Sequence, residues 1–408
     1  MRNKILKILF FYSALIPLKI IAQNGCTDPL ANNYNASATI NDGSCLYASA
    51  NVSVSQSLNL PSTISETSGL IDWNNELYTH NDNSDTNLYK ISKTDGSILQ
   101  NISLNSLTNI DWEEISQDED YVYIGDFGNN VNGNRTNLKI YKIQKSTTAT
   151  PIIETINFSY SNQTDFTAQG ANATDFDCEA FVVTNSEILL FTKQWVSNQT
   201  TIYTLPKTAG THLASPIATL NVSGLITGAT LKENYNLIAL TGYSTTLSPF
   251  IYLIYDYIGT NFQQANKRKI NLNLGFHQVE GISTTNGLDY YITNENFVYA
   301  PFINTPQKLH NVSLASYTSP YINNILATQT PLNITHKIIA FPNPATKDIF
   351  LIGGTNRNVF TFEIVDVCGK IVLKGQTFDK KIALDTIKSG IYFIKFLEDN
   401  VVIKIIKI

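Results

Sequence analysis

From Val52 to Leu314 the chain is built of short runs in which apolar and polar side chains alternate, separated by turns rich in Asn, Asp, Gly and Ser. Alternation at a period of two, bounded by turn residues, predicts half-buried strands. The stretch Asp175–Trp195 (DFDCEAFVVTNSEILLFTKQW) shows the repeating unit. Glu179 precedes a strand over 180–184, a turn falls at Asn185-Ser186, and a second apolar strand ends in Lys193, Gln194 and Trp195. The same register recurs: Tyr78 lies ten positions after Ser68, Tyr123 ten after Glu113, Leu189 ten after Glu179, Leu237 ten after Thr227 and Tyr290 ten after Glu280.

Each unit is read as four strands. The first unit is predicted over 69–73, 76–80, 87–92 and 98–104; the second over 114–117, 121–125, 137–143 and 152–160. The third falls at 180–184, 188–193, 201–205 and 217–222, the fourth at 229–232, 237–242, 250–257 and 269–274, and the fifth at 281–284, 289–294, 297–302 and 308–314. The marked positions are 45, 66, 48 and 53 residues apart, the length of a four-stranded blade with loop insertions. The expected fold is all-β: a β-propeller over 51–315, of five blades with room for a degenerate sixth. A two-sheet sandwich would give no reason for a register kept five times. The spare strand 52–60 is expected to pair into the last blade, so that the N-terminus closes the ring and removes an exposed edge.

Composition agrees with strands: 21 Tyr and 20 Phe stand against a single Met in 408 residues, with many Asn, Thr, Ser and Ile. A net charge of −5 supplies no cationic field for a polyanion, so nucleic acid is not an expected partner. At the N-terminus, Arg2, Lys4 and Lys7 precede an apolar run over 8–18 that is too short to span a bilayer, and Ala22 offers a cleavage site. Residues 1–22 therefore read as a signal peptide. No later run approaches the length of a transmembrane helix, so the mature chain is expected to be exported and soluble.

Cys26 and Cys45 bracket a segment with almost no apolar residues, and a disulfide between them is the simplest reading in an exported protein. Such a loop gains roughly 3 kcal/mol from the link. Cys178 and Cys368 are expected as buried free thiols. The segment CTDPLANNYNASATINDGSC, within a module over 23–50, resembles small CTDP/DGSC modules of exported and surface proteins. Its Asp28, Asn33, Asn35 and Asp42 are either calcium donors or plain turn formers.

Past Ala315 the periodicity weakens, and 316–337 is read as a linker. Residues 338–408 form a compact β segment, with FPNPA at 341–345, FEIVDVCGKIV at 362–372 and GIYFIKF at 390–396 before the terminal VVIKIIKI. This resembles the type A C-terminal sorting domain of the type IX secretion system of Bacteroidetes. The resemblance implies recognition by that secretion machinery and a secreted or outer-membrane-surface location on a Gram-negative cell.

In a propeller the first strand of each blade lines the central channel. Ser68, Glu113, Glu179, Thr227 and Glu280 are thus expected to ring one channel mouth. Three carboxylates in a narrow channel repel one another unless something shares their charge. A divalent cation would do so, and an oxygen-only donor set without His or Cys selects calcium over zinc. The alternative is that each Glu merely caps its own strand. The succession SETSGLIDWNNELYTHND, DWEEISQDEDYVYIGDFGNN, DCEAFVVTNSEILLFTKQW, ITGATLKENYNLIALTGY and VEGIS is similar to the five-bladed calcium-activated apyrases. Their channel ligands would carry over to Ser68, Glu113, Glu179, Thr227 and Glu280, with Thr227 in place of a Ser. The departures fall where phosphate would bind: NDNSDTN (81–87) carries no Arg, and Lys193 and Gln194 replace paired arginines. Bidentate phosphate recognition depends on such arginines.

The second strands should end on the same face and present His80, Asp82, Asp126, Asn129, Arg135, Lys193, Trp195, Tyr243 and Glu295. Trp195 and Tyr243 suit a sugar or another flat polar ligand. The sequence therefore points to a surface binding or recognition propeller with channel calcium and a small-molecule or glycan ligand. The competing class is a calcium-dependent phosphoester hydrolase, apyrase-like or phytase-like, with Asp82 or Asp126 positioning water.

Overall fold

The computed structural model describes residues 23–145, 151–328, 339–352, 359–377, 380–396 and 401–408. The signal peptide read at 1–22 lies outside them. The alternating runs pair with their sequence neighbours through short turns, which yields antiparallel four-stranded sheets. Blade I contains Thr67–Trp73, Glu76–Asn81, Asn87–Ile91 and Ile98–Ser103. Blade II contains Trp112–Gln117, Tyr121–Asp126, Lys139–Gln144 and Ile153–Tyr160. Blade III contains Asp177–Val183, Glu187–Lys193, Thr200–Pro206 and Gly210–Leu220, and blade IV contains Leu225–Lys232, Leu237–Tyr243, Pro249–Tyr255 and Asn266–Leu272.

Blade V takes three strands from the end of the repeat region, Val279–Ser283, Asp289–Asn294 and Lys308–Ser313. Gln56–Asn59 completes it by pairing antiparallel with Lys308–Ser313, so the N-terminal segment closes the ring. The strand predicted over 297–302 does not join the blade. Pro301 falls inside it and cannot donate to a ladder, and Phe297–Tyr299 folds instead onto Ile303–Thr305 as a side hairpin.

Five blades and no sixth follow from the core. Each of the five innermost strands touches the strands before and after it in the cyclic order I–II–III–IV–V–I, and that of blade IV also reaches those of blades I and II. Five apolar clusters fill the five gaps between blades. Trp112, Ile71 and Tyr78 lie between I and II, Tyr123, Phe158 and Phe181 between II and III, and Phe191, Ile238 and Phe250 between III and IV. Tyr290, Ile251 and Val279 lie between IV and V, and Leu70, Tyr89 and Leu309 between V and I. Full burial of each large side chain contributes about 1.5–3 kcal/mol, so the ring is held at every interface. Two outer edges are also covered: Ile153–Tyr160 pairs in parallel with Gly210–Leu220, joining blades II and III, and Ala50–Val52 adds to blade IV.

The N-terminal module is bridged by Cys26–Cys45 and docks on blade IV, where Thr27 Oγ1 donates to Asp256 at 2.8 Å and Asn41 Nδ2 donates to Asn266 at 2.9 Å. Its acidic and amide oxygens serve the turns. Asp28 accepts from Leu30 N–H and from the hydroxyls of Tyr47 and Tyr255; Asn33 accepts from Leu46 N–H, Asn35 from Ser37 N–H and Asp42 from Ser44 N–H.

The predicted linker is corrected over its first part. Helix α1 (Ala315–Thr328) covers it, with Ile322 buried against blades IV and V and Thr318 Oγ1 donating to Gly287 C=O at 2.8 Å. The apolar residues of 315–328 are spaced to face one side of a helix, a weak signal among the Thr and Asn that suggested a loop. The rest of the predicted linker, 329–337, lies outside the described residues.

Residues 324–408 form a separate unit. Ile339–Phe341, Asp348–Ile352 and Lys381–Ala383 make one sheet, and Ile371–Thr377, Phe360–Asp366, Gly390–Phe396 and Val401–Lys407 make the other. Ile349, Phe360, Ile364, Ile382 and Phe396 fill the space between them. Cys178 is a buried free thiol as expected, whereas Cys368 sits exposed on the turn between two strands.

Candidate metal centre

Every marked residue sits where its innermost strand breaks register with the second strand. In blade I the pairing Ser68–His80 resumes only at Ile71–Tyr78. Glu113 is skipped between Trp112 and Glu114, Glu179 between Cys178 and Ala180, and Thr227 between Ile226 and Gly228. In blade V pairing jumps from Val279 to Ile282 across Glu280 and Gly281. A bulge leaves a residue outside the ladder and re-aims its side chain. Glu113, Glu179, Thr227 and Glu280 fall in such bulges, Ser68 keeps its pair with His80 at the edge of one, and all five are buried. The Ser68 hydroxyl donates to Glu113 C=O in the next blade, and Thr227 Oγ1 donates to Val279 C=O at 2.5 Å. Crowding at the axis explains the following glycine in blade IV: a Cβ on Gly228 would lie 2.0 Å from the Glu280 carbonyl oxygen.

The charge balance at this mouth is unusual. Burial, and then the neighbouring carboxylates, push the Glu113 and Glu280 acids well above the ordinary range, with the Lys193 ammonium opposing the rise at Glu280. Burial also raises Glu179, against the pull of Lys193, whose Nζ lies 3.1 Å from Glu179 Oε2. Burial alone would lower Lys193, but Glu179, Tyr243, Glu280 and Asp177 hold it fully charged. Its ammonium lies 4.7 Å from the Trp195 ring centre and 5.2 Å from that of Tyr243. Even so, Glu179 Oε1 and Glu280 Oε2 are buried without any hydrogen-bond partner. A buried carboxylate oxygen in that state is costly unless a cation or proton shares it.

Acids absent from the sequence reading join this group. Asp177 accepts from Asn129 N–H at 2.6 Å and from Trp195 Nε1 at 2.8 Å. Asp111 is raised to about 6 by burial and by Asp177, with Arg135 opposing. Glu66 lies with Asp82 and Glu295, one carboxylate oxygen from each falling within 4.8 Å of the others. The signal was legible. Glu66, Asp111 and Asp177 each stand two positions before a marked residue, at or just before the start of an innermost strand.

The predicted ligand face divides into layers. Asp82, Glu295, Lys193, Trp195 and Tyr243 border the carboxylate ring. Asp126 and Arg135 form a layer behind it: Arg135 Nη2 is 2.9 Å from Asp126 Oδ1, and Nη1 donates to Gly128 C=O at 2.6 Å. His80 does not reach the face. It lies fully buried with its ring centre 5.7 Å from that of Trp112, and burial lowers its pKa to about 4, so the ring is neutral. The reason is strand parity, which turns His80 into the gap between blades I and II. Tyr243 is also buried, and Lys193 covers the rings of Trp195 and Tyr243 that were expected to stack on a sugar.

Glu114 closes the channel below the ring. Its carboxylate accepts from Leu70 N–H at 3.3 Å, Ile115 N–H at 2.9 Å and Ala229 N–H at 2.7 Å, reaching blades I and IV from blade II. Beyond it, at the far ends of all five innermost strands, opens a cavity of about 360 Å³ lined by Asp72, Gln117, Asp118, Lys232, Glu233 and Thr284. Its lining holds none of the unpartnered buried side-chain atoms found among the described residues, so the ring is the better candidate for chemistry.

Residues 339–408 match the secretion system C-terminal sorting domain. The chain thus carries the element that the type IX secretion machinery recognises on its cargo, and it is directed to the cell surface or beyond. No helix among the described residues is long and apolar enough to cross a membrane. No curated protein matches the chain by sequence. Among solved structures, the chain is similar to the PQQ-bound aldose sugar dehydrogenase of Streptomyces coelicolor, at 8% identity over 64% of this chain and 97% of that one, with a TM-score of 0.39. It is also similar to PorZ, a surface component of the type IX secretion system of Porphyromonas gingivalis, at 11% identity over 84% of this chain and 45% of that one, with a TM-score of 0.30. The WD40 repeats of RRP9 align at 8% identity over 64% and 99% of the two chains, with a TM-score of 0.37.

Proposed function

We propose that this exported propeller is a binding protein that holds a divalent cation of the calcium class in its channel mouth. The observation that carries the reading is the pair of unpartnered, buried carboxylate oxygens, Glu179 Oε1 and Glu280 Oε2, set in one ring with Glu113 and two hydroxyls. The residues fit the ion: Glu113, Glu179 and Glu280 supply hard oxygen donors, and Ser68 and Thr227 keep lone pairs after donating to the backbone. When bound, such an ion neutralises the ring and presents a Lewis-acidic centre to a ligand at the mouth.

Recognition is favoured over phosphoester hydrolysis because the nearby cations are already engaged. Lys193 is held by Glu179, and Arg135 by Asp126 and the Gly128 carbonyl, which leaves neither to clamp a phosphoryl group. The exported chain should release no phosphate from nucleotides or phytate, with calcium or with EDTA. Calcium-dependent release would overturn the choice of a binding role.

Glu280→Gln tests the ion. It removes an uncompensated buried charge, so in EDTA the variant should melt at or above the wild-type temperature. In saturating calcium it should melt below wild type, because a ligand is lost. The same shift in both conditions would reject a shared ion.

A further inference from the structure

The channel has a second end. Below Glu114, the cavity of about 360 Å³ takes its lining from the innermost strand of every blade: Asp72 from blade I, Gln117 from blade II, Val183 from blade III, Lys232 from blade IV and Ser283 from blade V. A second cavity of about 210 Å³ adjoins it between blades III and IV, and Thr184, Leu231 and Glu233 line both. The first cavity alone falls in the size range of small-molecule sites.

Most of the charge in the lining is already matched. Asp72 lies 2.6 Å from Lys93 Nζ, and Asp118 lies 2.7 Å from Lys207 Nζ and accepts from the Tyr123 hydroxyl at 2.9 Å. Gln117 donates to the Asp72 carbonyl and accepts from Lys145 at 2.8 Å, and Glu233 accepts from Asn185 N–H at 3.0 Å. Lys232 is the exception. Among the described residues its ammonium makes no hydrogen bond and no ion pair. Burial lowers its pKa, and Asp72, the charge that opposes this, already belongs to Lys93. The side chains of Asn185, Thr230 and Thr285 line the same cavity and also make no hydrogen bond among the described residues. An unmatched ammonium, two hydroxyls and an amide therefore border one cavity. An apolar ligand would strand all four groups, and a neutral polyol would leave the ammonium unmatched. A ligand with one carboxylate and several hydroxyls satisfies the whole set.

We infer that the far end of the channel is a binding site for a small polyhydroxylated carboxylate, a sugar acid, with Lys232 on the carboxylate and Asn185, Thr230 and Thr285 on the hydroxyls. Glu114 separates this site from the acid ring, so its occupancy does not depend on an ion at the opposite mouth.

The test is isothermal titration of the mature chain, in EDTA at neutral pH, with glucuronate, glucose and glucosamine, and with fold checked by near-ultraviolet circular dichroism. Glucuronate should bind about tenfold more tightly than glucose, the worth of one charge-assisted hydrogen bond, and glucosamine should not bind. Lys232→Met should remove that preference and leave glucose binding unchanged. Thr285→Tyr, at an exposed lining position, should block both sugars, and it decides the matter should Lys232→Met fail to fold. Glucose or glucosamine bound as tightly as glucuronate overturns the sugar-acid assignment. Glucuronate affinity unchanged in either variant, or no saturable binding of glucuronate to wild type, overturns the site.

Discussion

Lys193→Met would expose how the ring is balanced. The substitution keeps the length and apolar stem of the side chain and removes its charge. The Lys193 and Glu179 side chains are 5% and 3% exposed and meet at 3.1 Å, so water screens the pair little. At an effective dielectric constant near 20 the attraction is about 5 kcal/mol, and removing one partner of such a pair costs about 3–5 kcal/mol. For a folded unit of this size that corresponds to roughly 6–10 °C in melting temperature, at about 2 °C per kcal/mol. The assay is a calorimetric melt at pH 8 in EDTA and again in saturating calcium, with calcium affinity measured by titration. In EDTA the variant should lose that margin. In calcium it should recover most of it, because the ion takes over the role of the ammonium. The affinity for calcium should rise at least tenfold, since about 1.4 kcal/mol of relieved repulsion suffices for that. A variant that binds calcium more weakly than wild type, or that melts unchanged in EDTA, would refute this account.

Glu114→Ala should destabilise the propeller by about 3–6 kcal/mol in urea unfolding, because it strands up to three buried N–H donors at about 1–3 kcal/mol each; a change below about 1 kcal/mol would rule out the cross-channel brace. The pH dependence follows from the acids bordering the ring. Burial, then Glu66 and Asp111, raise Asp82 to about 7, and burial, then Asp82, raise Glu295 to about 8, with Lys193 opposing both. Their folded pKa values exceed the unfolded ones, so the stability they confer is complete near pH 4 and is lost as pH rises through about 7 to 8. Melting in EDTA should therefore fall between pH 5 and pH 8.5; a melting temperature that holds or rises over that range would refute the raised acids.

The layering of the site shows what could be read early. The ten-residue register picked out five positions that are all buried at or beside a register break of an innermost strand, because a blade's first strand starts its ladder at the same point whatever its loops do. The D-x-E pairs at Asp111/Glu113 and Asp177/Glu179 were equally visible as spacings, but the bulges at Glu113 and Glu179 break regular strand parity there. His80, at the end of the second strand, suggested the open face, while strand parity turns its ring into the gap between blades I and II against Trp112. Pro301 should have excluded the strand proposed over 297–302. Helix α1 was obscured by a polar segment whose helicity rests on Ile322 and two tyrosines packing against blades IV and V.

By itself the sequence determined the all-β class, the closing N-terminal strand, the disulfide pair and the sorting domain. Each follows from local chemistry: side-chain alternation, cysteine spacing and ordered motifs within seventy residues. Only the tertiary structure decided that there are five blades, that Glu114 plugs the channel, and that Lys193 pairs with Glu179 instead of facing a ligand. Those outcomes depend on which residues from distant blades meet at the axis. Closure of the ring, with one apolar cluster at each of five interfaces, is a global condition that no window of the chain contains.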